Sequence, residues 1–190
     1  MSHSFSSANL PGPTTRQYAV VIYLPNHLER IVAPLRERFD PDYNLISAHV
    51  TVVFPFETDR PLDDLTRVIR SATADSEPID VTLSSIDDFY PGSPIIFWKV
   101  QACDGLNKIC RELYAKLDLP LPHKRFLPHV TVAREISNHR VVLVKDEIAT
   151  YLPDEKFTAS ALDLVSPIAQ DHWVSVRTFP LGPDTPLNSL

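Results

Sequence analysis

Apolar residues along the chain recur with two different periods, and the switches between them divide it into strands and helices. Residues 17–24 (QYAVVIYL) form a continuous apolar run closed by Pro25-Asn26, the pattern of a buried strand turning into a helix. Leu28, Ile31, Val32, Leu35 and Phe39 then follow at helical spacing over 27–39, with Pro34 as an interior breaker that implies a kink or a late start. Pro41 and Asp42 end that pattern ahead of a β-branched run at 48–56. Asp59-Arg60-Pro61 opens a second predicted helix that runs to about Thr73, with Leu62, Leu65, Val68 and Ile69 on one face. Alternation over 79–89, the turn Tyr90-Pro91-Gly92-Ser93-Pro94 and the run IIFWKV at 95–100 predict a hairpin.

From there the order repeats. A helix is predicted over 104–117, with Asp104 as its cap and a stripe of Leu106, Ile109, Leu113 and Leu117. A proline-bounded loop (LPLPHKRFLP) leads to a second β-branched run. A helix near 141–151, a strand over 157–168 and a last strand over 173–179 complete the chain. Two interleaved β-α-β-α-β halves emerge, 17–90 and 94–168, in which Val81-Thr82-Leu83-Ser84 has its counterpart in Phe157-Thr158-Ala159-Ser160. Two copies of one unit tend to pair about a pseudo-two-fold axis. The expected organisation is one domain over 17–181, with tails at 1–16 and 182–190.

Composition narrows the function. A chain of 190 residues buries a core without staples, and Cys103 and Cys110, seven apart around a predicted helix, are too far apart for a disulfide and read as small residues in a reducing compartment. A net charge of -6 argues against a broad groove for long duplex DNA or RNA, while leaving room for a small phosphate ligand in a local basic pocket. With four glycines against 18 prolines, neither a Gly-rich phosphate loop nor a dinucleotide fingerprint is present, so phosphate must be handled by side chains. The first fifteen residues do not read as a secretory signal, and no apolar run approaches the ~20 residues of a membrane span. The expectation is a cytoplasmic monomer with no membrane partner.

The candidate chemistry lies in a repeated word. His49-Val50-Thr51-Val52 and His129-Val130-Thr131-Val132 stand eighty positions apart, each at the start of a β-branched run. On a strand His and Thr two apart share one face, and the valines point to the core. A dyad between the halves would bring two imidazoles into one cleft, each beside a hydroxyl. Imidazole titrates near neutral pH, so one ring can donate a proton while the other accepts one, as in-line attack on phosphorus requires. Two histidines without Asp, Glu or Cys at ligand spacing fall short of a zinc site, so no metal or cofactor is expected. His123-Lys124-Arg125 is the local basic cluster before the second motif, and Lys124 and Arg125 are candidate contacts for a phosphate or RNA end. Strict alternation puts Arg134, five residues after His129, on the face opposite the histidine unless the strand bends. Phe54 holds the matching place in the first half and reads as core, as do Tyr90 and Trp98.

Two H-x-T-hydrophobic motifs, one in each half of a chain of this length, resemble the 2H phosphoesterase superfamily, which includes the 2′-5′ RNA ligase-like proteins and the cyclic nucleotide phosphodiesterases. HVTVVFPFE is similar to the first motif of the 2′-5′ RNA ligase branch and PHVTVAR to the second, and the order of elements matches over about 17–181. The resemblance implies a bilobal α+β fold in which two antiparallel sheets flank a central cleft with helices outside. It implies metal-independent cleavage of 2′,3′-cyclic phosphates or 2′-5′ phosphodiester bonds, with a small nucleotide or RNA end as substrate. His49 would then protonate the leaving oxygen and His129 activate water, the roles exchanging in the reverse reaction, while Thr51 and Thr131 hydrogen-bond the phosphate and Arg134 contacts substrate. The alternatives are a ligase running the reverse reaction and a catalytically idle module that binds RNA ends or nucleotides.

Overall fold

A computed structural model describes residues 15–122, 126–168 and 172–182. Eight strands and four helices follow the order β1 (Arg16–Tyr23), α1 (Asn26–Phe39), β2 (His49–Thr58), α2 (Leu62–Thr73), β3 (Ile79–Asp88), β4 (Ile96–Val100), α3 (Asp104–Lys116), β5 (His129–Ala133), α4 (Val141–Ala149), β6 (Glu155–Ala159), β7 (Ala161–Pro167) and β8 (Trp173–Pro180), with a 3-10 turn at Asn138–Arg140 leading into α4. Helix α1 runs through Pro34. Asp104 does not cap α3: it is the first helical residue, and Cys103 holds the cap position without a capping hydrogen bond from its side chain. The strand expected over 157–168 is two, β6 and β7, separated at Ser160.

All eight strands belong to one antiparallel sheet in the order β6-β3-β4-β5-β2-β1-β7-β8. This corrects the expectation of two separate sheets, and the reason lies at the middle of the order. There β2 and β5 meet through a single residue pair, Val50 with Val130, whereas their outer neighbours pair over longer ladders. Two four-stranded halves are thus joined by a narrow seam, and the repeated motifs lie on it. The outer strands also differ from the sequence expectation. β3 and β6, matched there as counterparts, are neighbours in one half, with Val81 opposite Phe157. The strand equivalent to β3 is β7, because β3 pairs with β4 as β7 pairs with β1. Each sequence half therefore gives its last strand to the other half of the sheet.

The four helices contribute to one apolar core that includes Leu28, Val32, Ile69, Leu106, Ile109, Leu113, Val144 and Ile148, packed on Val50, Val130 and Trp98 from the sheet. Packing also crosses the seam, with α1 on β5 and α3 on β2. The paired backbone contacts are Arg134 N–H to the Phe39 carbonyl at 3.0 Å and Phe54 N–H to the Tyr114 hydroxyl at 3.1 Å. The other face of the sheet carries a smaller apolar patch of Ala19, Val21 and Val165, flanked by Tyr23 and Trp173. The face with helices is closed, and the opposite face is left for a cleft.

Trp98 is fully buried as expected, and its indole N–H finds no partner among the described residues. Trp98→Ala should lower unfolding free energy by about 3–5 kcal/mol through lost burial and a cavity. Trp98→Phe should cost far less than that, since it also removes an unpaired donor. Urea unfolding of both variants measures the difference.

Candidate functional site

The two motifs are placed by backbone register. Extending the Val50–Val130 pairing one residue each way sets His49 across from Thr131 and Thr51 across from His129, on the face away from the helix-packed core. All four side chains line one cleft of about 440 Å³ together with Asp42, Phe54, Ile95, Arg134 and Trp173. The valines between them are buried in the core, as alternation requires.

Both imidazoles are oriented in the same way. His49 Nδ1 lies 2.8 Å from the Ser47 carbonyl oxygen and His129 Nδ1 lies 2.9 Å from that of Leu127. A carbonyl oxygen only accepts, so Nδ1 carries the proton in each ring and Nε2 is the free nitrogen. Their surroundings differ. His129 is held against the rings of Phe89 at 5.1 Å and Phe97 at 5.0 Å, whereas His49 has Tyr23 edge-on at 6.4 Å. Desolvation lowers the pKa of both rings, opposed in each by the carbonyl hydrogen bond. For His49 the value falls to about 4, helped by the nearby Arg36 and Arg134 charges and by His129; for His129 the Arg134 charge is the further cause. In the free protein at neutral pH both rings are therefore neutral.

Arg134 reaches the cleft because alternation fails. In β5, Ile96 pairs with Ala133 but Phe97 with Thr131, so Val132 is an inserted residue, a β-bulge. Consecutive Val132 and Ala133 are both buried, and the parity of every later residue flips. β2 has the same insertion at Val52, since Val20 pairs with Val53 and Val21 with Thr51, followed by a second irregularity around Phe54-Pro55. Phe54 is consequently 46% exposed and lines the cleft, which corrects its assignment to the core. Tyr90 is equally exposed and also not a core residue. Lys124 and Arg125 lie outside the described residues.

An ionic chain at the end of α1 fixes the Arg134 guanidinium. Arg36 Nε and Nη2 donate to Asp40 Oδ2 at 3.0 and 2.9 Å, and both side chains are buried. Asp40 Oδ1 accepts the Asp42 backbone N–H at 3.1 Å and stands 3.6 Å from Arg134 Nε. Arg134 Nη1 donates to Asp42 Oδ2 at 2.7 Å. Sequence reasoning missed these acidic partners. The Arg36–Asp40 spacing of four on a helix was a usable signal, but nothing local links Asp42 to a residue 92 positions later. Among the described residues, no three or more His, Cys, Asp or Glu side chains converge as a metal site would require, and no helix is long and apolar enough to cross a membrane.

Comparison with known proteins places this arrangement among relatives. Residues 24–171 match the family model described as the 2′-5′ RNA ligase superfamily. The protein of Geobacillus kaustophilus named "Putative phosphoesterase GK0864" is 28% identical over 169 residues, covering 87% of this chain and 96% of the relative. A namesake from Bacillus pumilus is 29% identical over 167 residues, covering 87% and 98%. Among solved structures, E. coli LigT complexed with 3′-AMP superposes with a TM-score of 0.65 at 15% identity, covering 88% of this chain and 99% of LigT. TT0787 of Thermus thermophilus gives 0.62 at 16% identity, covering 88% and 99%. At these identities the structural likeness is one of fold.

The depressed histidines have a consequence for stability. Between the folded value of about 4 for His49 and the unfolded value of 6.5, the unfolded chain binds the proton that the folded chain excludes. Stability linked to this ring is therefore full above about pH 6.5 and declines as pH falls toward 4. Urea midpoints measured from pH 7.5 to 4.5 should fall, and His49→Gln should flatten that slope; an unchanged slope would contradict the burial argument.

Proposed function

The chain belongs to the 2′-5′ RNA ligase superfamily, the 2H phosphoesterases, and on that premise we propose that it hydrolyses a 2′,3′-cyclic phosphate or a 2′-5′ phosphodiester of a nucleotide or RNA end by paired acid–base catalysis without a metal. The observation that carries the reading is the symmetry of the two imidazoles. Each is pinned through Nδ1 to the carbonyl two residues earlier, each stands beside a threonine, and both line one cleft across the seam.

In the reaction, a water on one side of the phosphorus gives a proton to one neutral Nε2 as its oxygen attacks. On the other side the second ring, protonated at Nε2, donates that proton to the departing ribose oxygen as the P–O bond breaks. One proton enters the pair and one leaves, so the net change is addition of water across the bond. The acid must hold a proton although burial depresses both rings, and the bound phosphodiester anion favours that charge. Thr51 and Thr131 hydroxyls and the Arg134 guanidinium donate to the non-bridging oxygens, where negative charge must be stabilised in the transition state. His129 activates water and His49 serves as the acid in the hydrolytic direction. Binding of small nucleotides fits the LigT structures complexed with 3′-AMP, phosphate and ATP.

The test is turnover of a nucleoside 2′,3′-cyclic phosphate in excess EDTA. Activity should persist with chelator, fall on the order of 10²–10⁴-fold in His49→Ala and in His129→Ala, and fall on the order of 10²–10³-fold in Thr51→Ala or Thr131→Ala. Tight binding of the cyclic nucleotide with no turnover by the unaltered protein would instead identify a nucleotide-binding module.

A further inference from the structure

Among the described residues lining the cleft, Arg134 is the one permanent cation and Asp42 the one carboxylate, and they are hydrogen-bonded to each other at 2.7 Å. Behind them Arg36 and Asp40 form a buried pair whose charges also cancel. With both imidazoles neutral, an anion entering this cleft meets donors rather than net positive charge. Such a site suits one negative charge shared between two oxygens. A second charge would face the Asp42 carboxylate, and among the described residues lining the cleft Arg134 is the only fixed cation to balance it.

We propose that Asp42 makes the cleft selective for singly charged phosphodiesters and expels the doubly charged phosphomonoester that hydrolysis produces. The proposal rests on the phosphoesterase reading but concerns substrate charge and product release rather than the proton transfers. Asp42 is a specificity residue: it holds Arg134 in place from one side while repelling the excess charge of the product. The groups facing it are Arg134 after β5, Asp40 and, through Asp40, Arg36 from α1, with His49 and His129 in the same cleft. A unit charge a few ångströms away in a half-solvated cleft changes affinity on the order of tenfold. A phosphomonoester gains its second charge with a pKa near 6, so the effect falls inside a measurable pH range.

Direct binding tests this, by calorimetry with a nucleoside 2′-monophosphate and its methyl phosphodiester on the same nucleoside. At pH 8 the wild-type protein should bind the diester at least about tenfold more tightly than the monoester, and the gap should close at pH 5. Asp42→Asn should shrink the gap at pH 8 by about tenfold, and Asp42→Glu should keep it. Comparing two ligands within one variant cancels any general loosening of Arg134, and comparing variants cancels titration of the histidines. An equal gap in wild type and Asp42→Asn, or tighter wild-type binding of the monoester at pH 8 than at pH 5, overturns the proposal. A charge-dependent gap without turnover of the cyclic phosphate would keep this inference and remove the phosphoesterase reading. Turnover without the gap would do the reverse.

Discussion

The pairing of Val50 with Val130 is the constraint on which the rest of the structure depends. One residue pair joins two four-stranded halves, and the alternation of side chains on either side of it decides that His49, Thr51, His129 and Thr131 face the same way. A slip of one residue in either strand would turn its histidine and threonine into the apolar core and bring valines into the cleft. Burial of Val50, Val52, Val130 and Val132 opposes that slip, so the hydrophobic face of the sheet enforces the position of the polar one. Packing of α1 on β5 and of α3 on β2 braces the seam from behind, where the ladder alone is short.

The site combines neutral, desolvated imidazoles with a guanidinium held by carboxylates. Desolvation keeps both rings unprotonated until an anion arrives, and the carbonyl of the residue two before each histidine fixes which nitrogen faces the cleft. The Arg36–Asp40 pair is buried, where a lone charge would be costly, and its partners connect it to Asp42 and Arg134. Arg134 thereby has a defined place before any ligand binds, so less ordering is needed on binding. The environment around the two rings is unequal, with two phenylalanine rings against His129 and a single tyrosine edge at His49, which distinguishes two otherwise equivalent motifs.

Elements that one segment specifies were legible in the sequence. Apolar periodicity gave the helices and most strands to within a few residues, and the repeated His-Val-Thr-Val placed four cleft residues on one face of two strands. What escaped depended on partners distant in sequence. The exchange of β3 and β7 between halves follows from which strand finds which edge, and matching letters in β3 and β6 suggested equivalence where the structure makes them neighbours. The single sheet rests on a pairing too short to leave a pattern. The bulges at Val52 and Val132 appear only as an extra residue against a partner strand, yet they bring Phe54 and Arg134 to the cleft. Asp42 read as a helix breaker because its partner lies on another element.

His49 and His129 are assigned to opposite sides of one phosphoryl group, and everything proposed for the cleft follows from that placement. A crystal structure with a nucleoside 2′,3′-cyclic vanadate, whose five-coordinate metal mimics the transition state, measures it directly. The expected result is one Nε2 at each apical oxygen, in line through the vanadium, with the threonine hydroxyls on equatorial oxygens. Vanadate held by a single histidine, or both rings on the same side of it, would contradict the assignment.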